Sequence, residues 1–401
     1  MSDTHTALLA QAQTLLPHAV QLRREIHRHP ELGNELPRTR ASVLQALQPL
    51  NLDVRLSKST SGIVAVLEGS TPGPSILLRG DMDALPMPED TGLEYASEID
   101  GRMHACGHDS HTAMLATAAH LLSARRVDLP GKVIFMFQPG EEGPGGAQPM
   151  IDEGLFDTDA KPDAVFALHI YPNLRSGMIA CRAGAFLAAA DTVSIELRGK
   201  GGHGSMPYDA NDPVPVICEL VQAFQTFVTR RFKPFDPVVL TVGRIAAGTV
   251  NNVIPECAML EATLRSFSTM ARETAHTGIR RLAEQLAAAY EMQAEVTIDQ
   301  GYPATYNDAG FVEFVRQTTG ELFGADAYLE MPEPLMGAED FSLMLQRTPG
   351  AMAFLGVAPD DVDPAAAAPC HSNRMQLNES AMVQGVALHA AVACEFLRKH
   401  G

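Results

Sequence analysis

Apolar residues recur at helical spacing near the start of the chain, at Leu8, Ala12, Leu15, Leu16, Val20, Leu22 and Ile26, and the pattern meets Pro30. That spacing predicts a helix over 8–28 with a sharp stop. A second amphipathic stretch predicts a helix over 38–50. Two short apolar runs, 63–67 and 76–79, are bounded by Gly, Pro and Ser, as buried strands are. An Ala- and Leu-rich helix is predicted over 112–123, and further buried strands over 133–137 and 164–168. This succession is the rhythm of an α/β sheet whose site lies beyond the carboxyl ends of its strands.

The pattern changes near Cys181. Residues 192–197 alternate, with Val193, Ile195 and Leu197 apolar. A helix over 213–231, strands over 238–245 and 259–265, a long helix over 269–290 and a strand over 294–298 follow. The order β-α-β-β-α-β reads as a split-βαβ sandwich inserted into the first domain. Helix and strand then resume from Phe311, with a strand over 352–357 and a closing helix over 382–399. The expected division is a first domain made of 1–183 and 301–401 around an insert of 184–300. A length of 401 residues, too long for one ordinary core, fits that division.

Composition narrows the function classes. Apolar residues make up 46% of the chain, which is ample for buried cores. The formal charge of -18 repels phosphate backbones and anionic lipid surfaces, so neither nucleic acid nor membrane is an expected partner. Six cysteines (Cys106, Cys181, Cys218, Cys257, Cys370, Cys394) show no paired spacing, which fits a reducing cytosol. The first twenty residues carry an acid and two histidines rather than a basic stretch and an apolar run. No secretory signal or membrane span is expected.

The chemistry gathers around residues 103–109, Met-His-Ala-Cys-Gly-His-Asp. A thiol and an imidazole two residues apart, Cys106 and His108, reach the same side of an extended segment, as metal ligands do. Asp109 is suited to hold a ligand imidazole in its tautomer. Glu141 and Glu142 form a carboxylate pair after a predicted strand, and His169 and His371 supply two more imidazoles. Such a set suits a two-metal hydrolytic site. Asp81 and Asp83 follow a buried strand, where carboxylates are costly unless paired or used to orient a metal site.

These residues sit in longer motifs: Ile-His-Arg-His-Pro-Glu-Leu at 26–32, Arg-Gly-Asp-Met-Asp-Ala-Leu-Pro at 79–86, the stretch 103–109, Gln138 to Glu142, Gly199 to His203, Asn-Val-Ile-Pro at 252–255 and Gly337 to Phe341. Together they resemble the M20 metallopeptidase family, in the amidohydrolase branch of hippurate hydrolases, N-acyl-amino-acid amidohydrolases and auxin-conjugate hydrolases. The resemblance implies a mixed-sheet di-metal catalytic domain and an insert that serves for dimerisation. It implies two divalent ions per chain (Zn, Mn, Co or Ni) on Cys106, His108, Glu142, His169 and His371, with Glu141 as general base. A histidine matching His203 would help hold the oxyanion, reaching into a partner subunit. Asn252 and Arg265 would grip the substrate's carboxylate, a good match for a guanidinium fork. Asp81, Asp83, Asp109 and Glu339 would support the metal shell, while His27 and His29 pack or cap the first helix.

The expected function is that of a cytosolic, homodimeric enzyme cleaving small N-acyl amino acids or short peptides. A dipeptidase or carboxypeptidase of the same family, a non-catalytic metal-binding relative, and a thiol hydrolase built on Cys106 and His108 are the competing readings. Two departures stand out. No aromatic-rich segment follows His371, and Gly140 stands where relatives often carry Ala, which would loosen the turn before Glu141.

Overall fold

The structure, a computed structural model, describes residues 3–154 and 162–401. By its internal contacts the chain divides into two units: Met1–Gly184 with Tyr306–Glu333 and Leu343–Gly401, and Ala185–Thr305 with Pro334–Ser342.

The first unit is built on an eight-stranded mixed sheet. Its order is Asp53–Leu56, Ile63–Glu68, Pro130–Gln138, Thr71–Asp81, Ala164–Tyr171, Gly350–Gly356, Ile179–Cys181, Tyr328–Glu330. The four central strands, Pro130–Gln138 through Gly350–Gly356, run parallel. Parallel strands are covered on both faces, which is why Ile76, Leu77 and Leu78, and Val133 through Phe137, are apolar without alternation and fully buried. Asp81 lies opposite Gln138 and Arg79 opposite Ala167, so the ends of three neighbouring parallel strands are level. Chemistry carried on those ends meets at one place.

Helices Asp3–Arg28, His108–Ser123 and Met382–His400 pack with the sheet around a core that includes Phe135, Phe137 and Phe166. Burying each such ring contributes about 1.5–3 kcal/mol. His108–Ser123 is buried nearly all round, and its Ala113, Ala116, Ala118 and Ala119 let neighbours approach. Among the described residues one helical stretch, Glu379–His400, is long and apolar enough to cross a membrane, yet 83% of its apolar window is buried inside the protein.

Three local expectations change. Asp53–Leu56, with all four residues exposed, is a strand that the hydrophobic pattern did not signal. Residues 105–107 are not extended: Gly107 at φ +78° precedes a helix that starts at His108. A Cβ at Gly107 would stand 2.6 Å from Ile170 Cγ1, so both the left-handed backbone and the space require glycine. His169 lies within the strand Ala164–Tyr171 rather than after it.

In the second unit Val238–Ala247, Cys257–Ser266, Ala189–Arg198 and Gln293–Gln300 form, in that order, an antiparallel sheet. Alternating residues Val193, Ile195 and Leu197 pack with Leu220 and Phe224 of helix Pro213–Arg231 and Ile279 of helix Thr269–Ala289. Both helices start on a side-chain cap: Asp212 accepts from Val214 N–H and Ser268 from Ala271 N–H. A short ladder pairs Gly202–His203 with Val253–Ile254.

Candidate active site

In the first unit Asp81 and His169, near level strand ends, gather with Cys106, His108 and His111 from a turn and the helix after it, Glu141 and Glu142 from the turn past Gln138, and His371 from a further turn. Four overlapping triads have ligand atoms within 4.8 Å of one another: Cys106–His108–His169, Cys106–Glu142–His371, His108–Glu141–Glu142 and Asp81–His108–His111. Cys106 Sγ lies 3.4 Å from His169 Nε2, and His371 Nε2 lies 3.0 Å from Glu142 Oε1. His108 Nδ1 and Nε2 stand 3.4 and 3.6 Å from carboxylate oxygens of Asp83 and Asp81. Both nitrogens are buried with no hydrogen-bond partner among the described residues. Unpartnered ring nitrogens of this kind, beside a thiol and carboxylates, fit a cation site through their lone pairs.

Each group is held by its local backbone. His169 donates Nδ1–H to the Ile170 carbonyl at 2.6 Å, which leaves the Nε2 lone pair aimed at Cys106. Asp83 accepts from the backbone N–H of both Glu141 and Glu142, each at 3.0 Å, and so shapes the turn that presents the two carboxylates. They lie on that turn, past the strand's end at Gln138, so strand alternation does not separate them and both converge with His108. His371 adopts φ +68°, uncommon for a residue with a side chain, and its N–H donates to the Ala105 carbonyl at 2.8 Å. Gly140 is required where it stands: at φ +73°, an added Cβ would lie 2.1 Å from Asn34 Oδ1. Glycine adopts this left-handed backbone without strain.

His111 is the residue that motif reading overlooked. It donates Nδ1–H to Asp81 at 2.6 Å, and its Nε2 accepts from Ile170 N–H at 2.8 Å. With both ring nitrogens engaged it ties Asp81 to the strand of His169 instead of offering a free ligand atom. The signal was its place one turn after His108 on the same helix.

Asp109 is corrected. It does not touch a candidate ligand imidazole: its Oδ2 accepts from Arg23 Nε at 2.7 Å and from His27 Nδ1 at 2.8 Å. The helix turns Asp109 away from His108 and toward the first helix, where Arg23 also meets Glu379 and His27 also meets Glu89. His27 is thus packed into an ion network, while His29 bonds the Glu25 carbonyl.

Electrostatics favours a cation. Burial raises the Asp81 carboxyl, but Arg79, then His108 and His111, outweigh it and hold it well below the usual range. Burial would lower His108, yet Asp81, Asp83 and Glu142 hold it well above its ordinary value. The neighbouring Cys370 thiol, burial, and the Glu142 and Glu141 carboxylates push the Cys106 thiol up. Such a thiol is a poor nucleophile, and the imidazole against it is His169, so the arrangement does not suit a Cys106–His108 thiol hydrolase.

The remaining candidates lie in the second unit. His203 is exposed, and its Nδ1 accepts from Ser205 N–H at 3.1 Å, which leaves the proton of the neutral ring on Nε2. Asn252 adjoins it, its carbonyl accepting from Gly204 N–H at 2.8 Å. Half-buried Arg265 donates to Thr263 Oγ1 at 2.6 Å. Buried Glu339 accepts from Phe341 N–H at 3.0 Å.

Residues 77–395 match peptidase family M20/M25/M40. The chain belongs to that family. N-acetyl-L-cysteine deacetylase of Bacillus subtilis is 37% identical over 86% of this chain and 82% of its own length. Thermostable carboxypeptidase 1 of Saccharolobus solfataricus is 35% identical over 95% of each. A Bacillus subtilis protein of known crystal structure, described as a dinuclear metal binding peptidase of the M20 family, superposes with a TM-score of 0.83 at 31% identity, over 96% of this chain and 99% of that one. As an M20 member the protein is a metal-dependent hydrolase of amide bonds.

Proposed function

We propose that the protein hydrolyses N-acyl amino acids of the hippurate type, with two divalent ions held by Cys106, His108, Glu142, His169 and His371. The observation that carries this reading is the convergence of those donors, with Glu141 beside them, from one strand and the turns and helix start around it. When bound, the ions supply the Lewis acidity that acidifies a water and polarises the scissile carbonyl. Glu141 takes the proton of the attacking water and delivers it to the leaving amide nitrogen. His203 donates Nε2–H to the developing oxyanion, and Asn252 and Arg265 grip the substrate's carboxylate. Asp81 and Asp83 orient His108, with Asp83 also fixing the Glu141–Glu142 turn. Glu339 braces the shell from the segment 334–342. The mixed thiol and imidazole set suits Zn, and Mn, Co or Ni remain compatible with the carboxylate donor.

We further assign a cytosolic homodimer in which the insert, 184–300, joins the protomers and His203 serves the partner's site. Supporting this, Val238–Ala247 is a sheet-edge strand with Val239 and Ile245 exposed, a surface that monomers usually protect. The carboxypeptidase relative favours a second reading, cleavage of short peptides. A panel of benzoyl-glycine, N-acetyl amino acids and unblocked dipeptides separates the two. Cleavage of the blocked compounds is expected, with Glu141→Gln about 10²- to 10⁴-fold slower at unchanged metal content. Turnover of dipeptides alone would give the peptidase reading the place.

A further inference from the structure

We propose that Tyr171 is the aromatic wall on which the substrate's apolar acyl group stacks. The inference rests on the N-acyl-amino-acid reading above and adds its selectivity.

His169 and Tyr171 are two residues apart in one strand, so their side chains leave the sheet on the same face. In the register Phe354 lies opposite His169. The Phe354 ring meets the His169 ring edge-on, at 6.0 Å and 88°, and stacks on Tyr171 at 4.9 Å and 26°. Phe354 is 4% exposed and therefore a backing. Tyr171 is half-buried, covered by Phe354 on one ring face and still partly open. It is the last residue of its strand, where sites in parallel sheets lie. The ring thus stands two residues beyond a candidate ligand, at the end of the same strand.

The platform is rigid. The Tyr171 carbonyl accepts from Leu174 N–H at 3.1 Å and from Val357 N–H at 3.2 Å, so its backbone is tied at both sides. A fixed, partly open ring next to a hydrolytic centre suits a flat acyl group such as benzoyl, which gains by stacking what an acetyl group lacks. The segment after His371 carries no aromatic residue before Leu377, so the selectivity sought there from the sequence is supplied from the strand instead.

The test compares kcat/KM for benzoyl-glycine, acetyl-glycine and acetyl-phenylalanine in the wild type, Tyr171→Leu and Tyr171→Phe, with metal content measured in each. Tyr171→Leu, which retains bulk for folding, should lower the benzoyl-to-acetyl preference about tenfold, chiefly through KM. Tyr171→Phe, which keeps the ring, should recover the preference. Equal losses on both acyl groups, or a loss confined to acetyl-phenylalanine, would overturn the assignment while leaving the N-acyl reading intact. A wild-type enzyme that cleaves none of the three compounds would remove that reading, and this inference with it.

Discussion

At the scale of single residues, tautomers and backbone anchors do most of the positioning. His169 spends its Nδ1–H on a backbone carbonyl, His111 spends both nitrogens, and His203 accepts on Nδ1, so of these three His169 keeps Nε2 as an acceptor and His203 keeps it as a donor. His203→Ala should therefore leave metal content and folding intact while slowing turnover roughly 10²- to 10³-fold; steady-state kinetics and elemental analysis check it, and an unchanged kcat would remove the oxyanion role. Cys106, His108, Glu141 and Glu142 were legible because they stand in compact motifs. The partners of Asp109 were not, because Arg23 and His27 are more than eighty positions away in the chain.

Among the elements, helix His108–Ser123 carries the heaviest constraint. Its first residue is a candidate ligand, and its second is locked to the first helix by the buried Arg23–Asp109 pair, 2.7 Å apart. Removing one partner of a buried pair costs about 3–5 kcal/mol, since the other charge stays buried. Asp109→Asn is expected to lose stability of that order in urea unfolding and to loosen metal binding; a loss below about 1 kcal/mol would show that Glu379 alone satisfies Arg23. Burial opposes the Asp109 carboxylate, but Arg23 and then His27 hold it well below the usual range, so its stabilisation is present above pH ~4 and is lost as the pH falls further. Hydrophobic spacing foretold the long helices to within a few residues, since their buried faces repeat. It was silent on Asp53–Leu56, whose exposed residues leave no apolar pattern to read. It misjudged 105–107 because one left-handed glycine outweighs local extension.

For the whole molecule, sheet order escapes the sequence: Pro130–Gln138 slots between Ile63–Glu68 and Thr71–Asp81, a pairing decided by long-range packing. What the sequence did carry was the succession of the longer helices and strands; the short pair Gly202–His203 and Val253–Ile254 left no pattern to read. Burial also sets a global pH response. His104 and His389 are each buried and pushed down to about 3 by desolvation. The unfolded chain then binds more protons than the folded one between pH ~6.5 and ~3, so each histidine's contribution is full above ~6.5 and declines as the pH falls, by about 1.4 kcal/mol per unit. Unfolding of His389→Gln followed from pH 7 to 4 should show a shallower loss than the wild type, by up to one proton; identical slopes would mean that His389 is not held neutral.

A two-metal hydrolytic centre stands or falls on the number of metals bound. Elemental analysis of the purified protein should find about two divalent ions per chain, and cleavage of benzoyl-glycine should stop on chelation and return on metal add-back. A protein that binds no metal and still cleaves the substrate in chelator would rule out the two-metal centre and return Cys106 to consideration as the nucleophile.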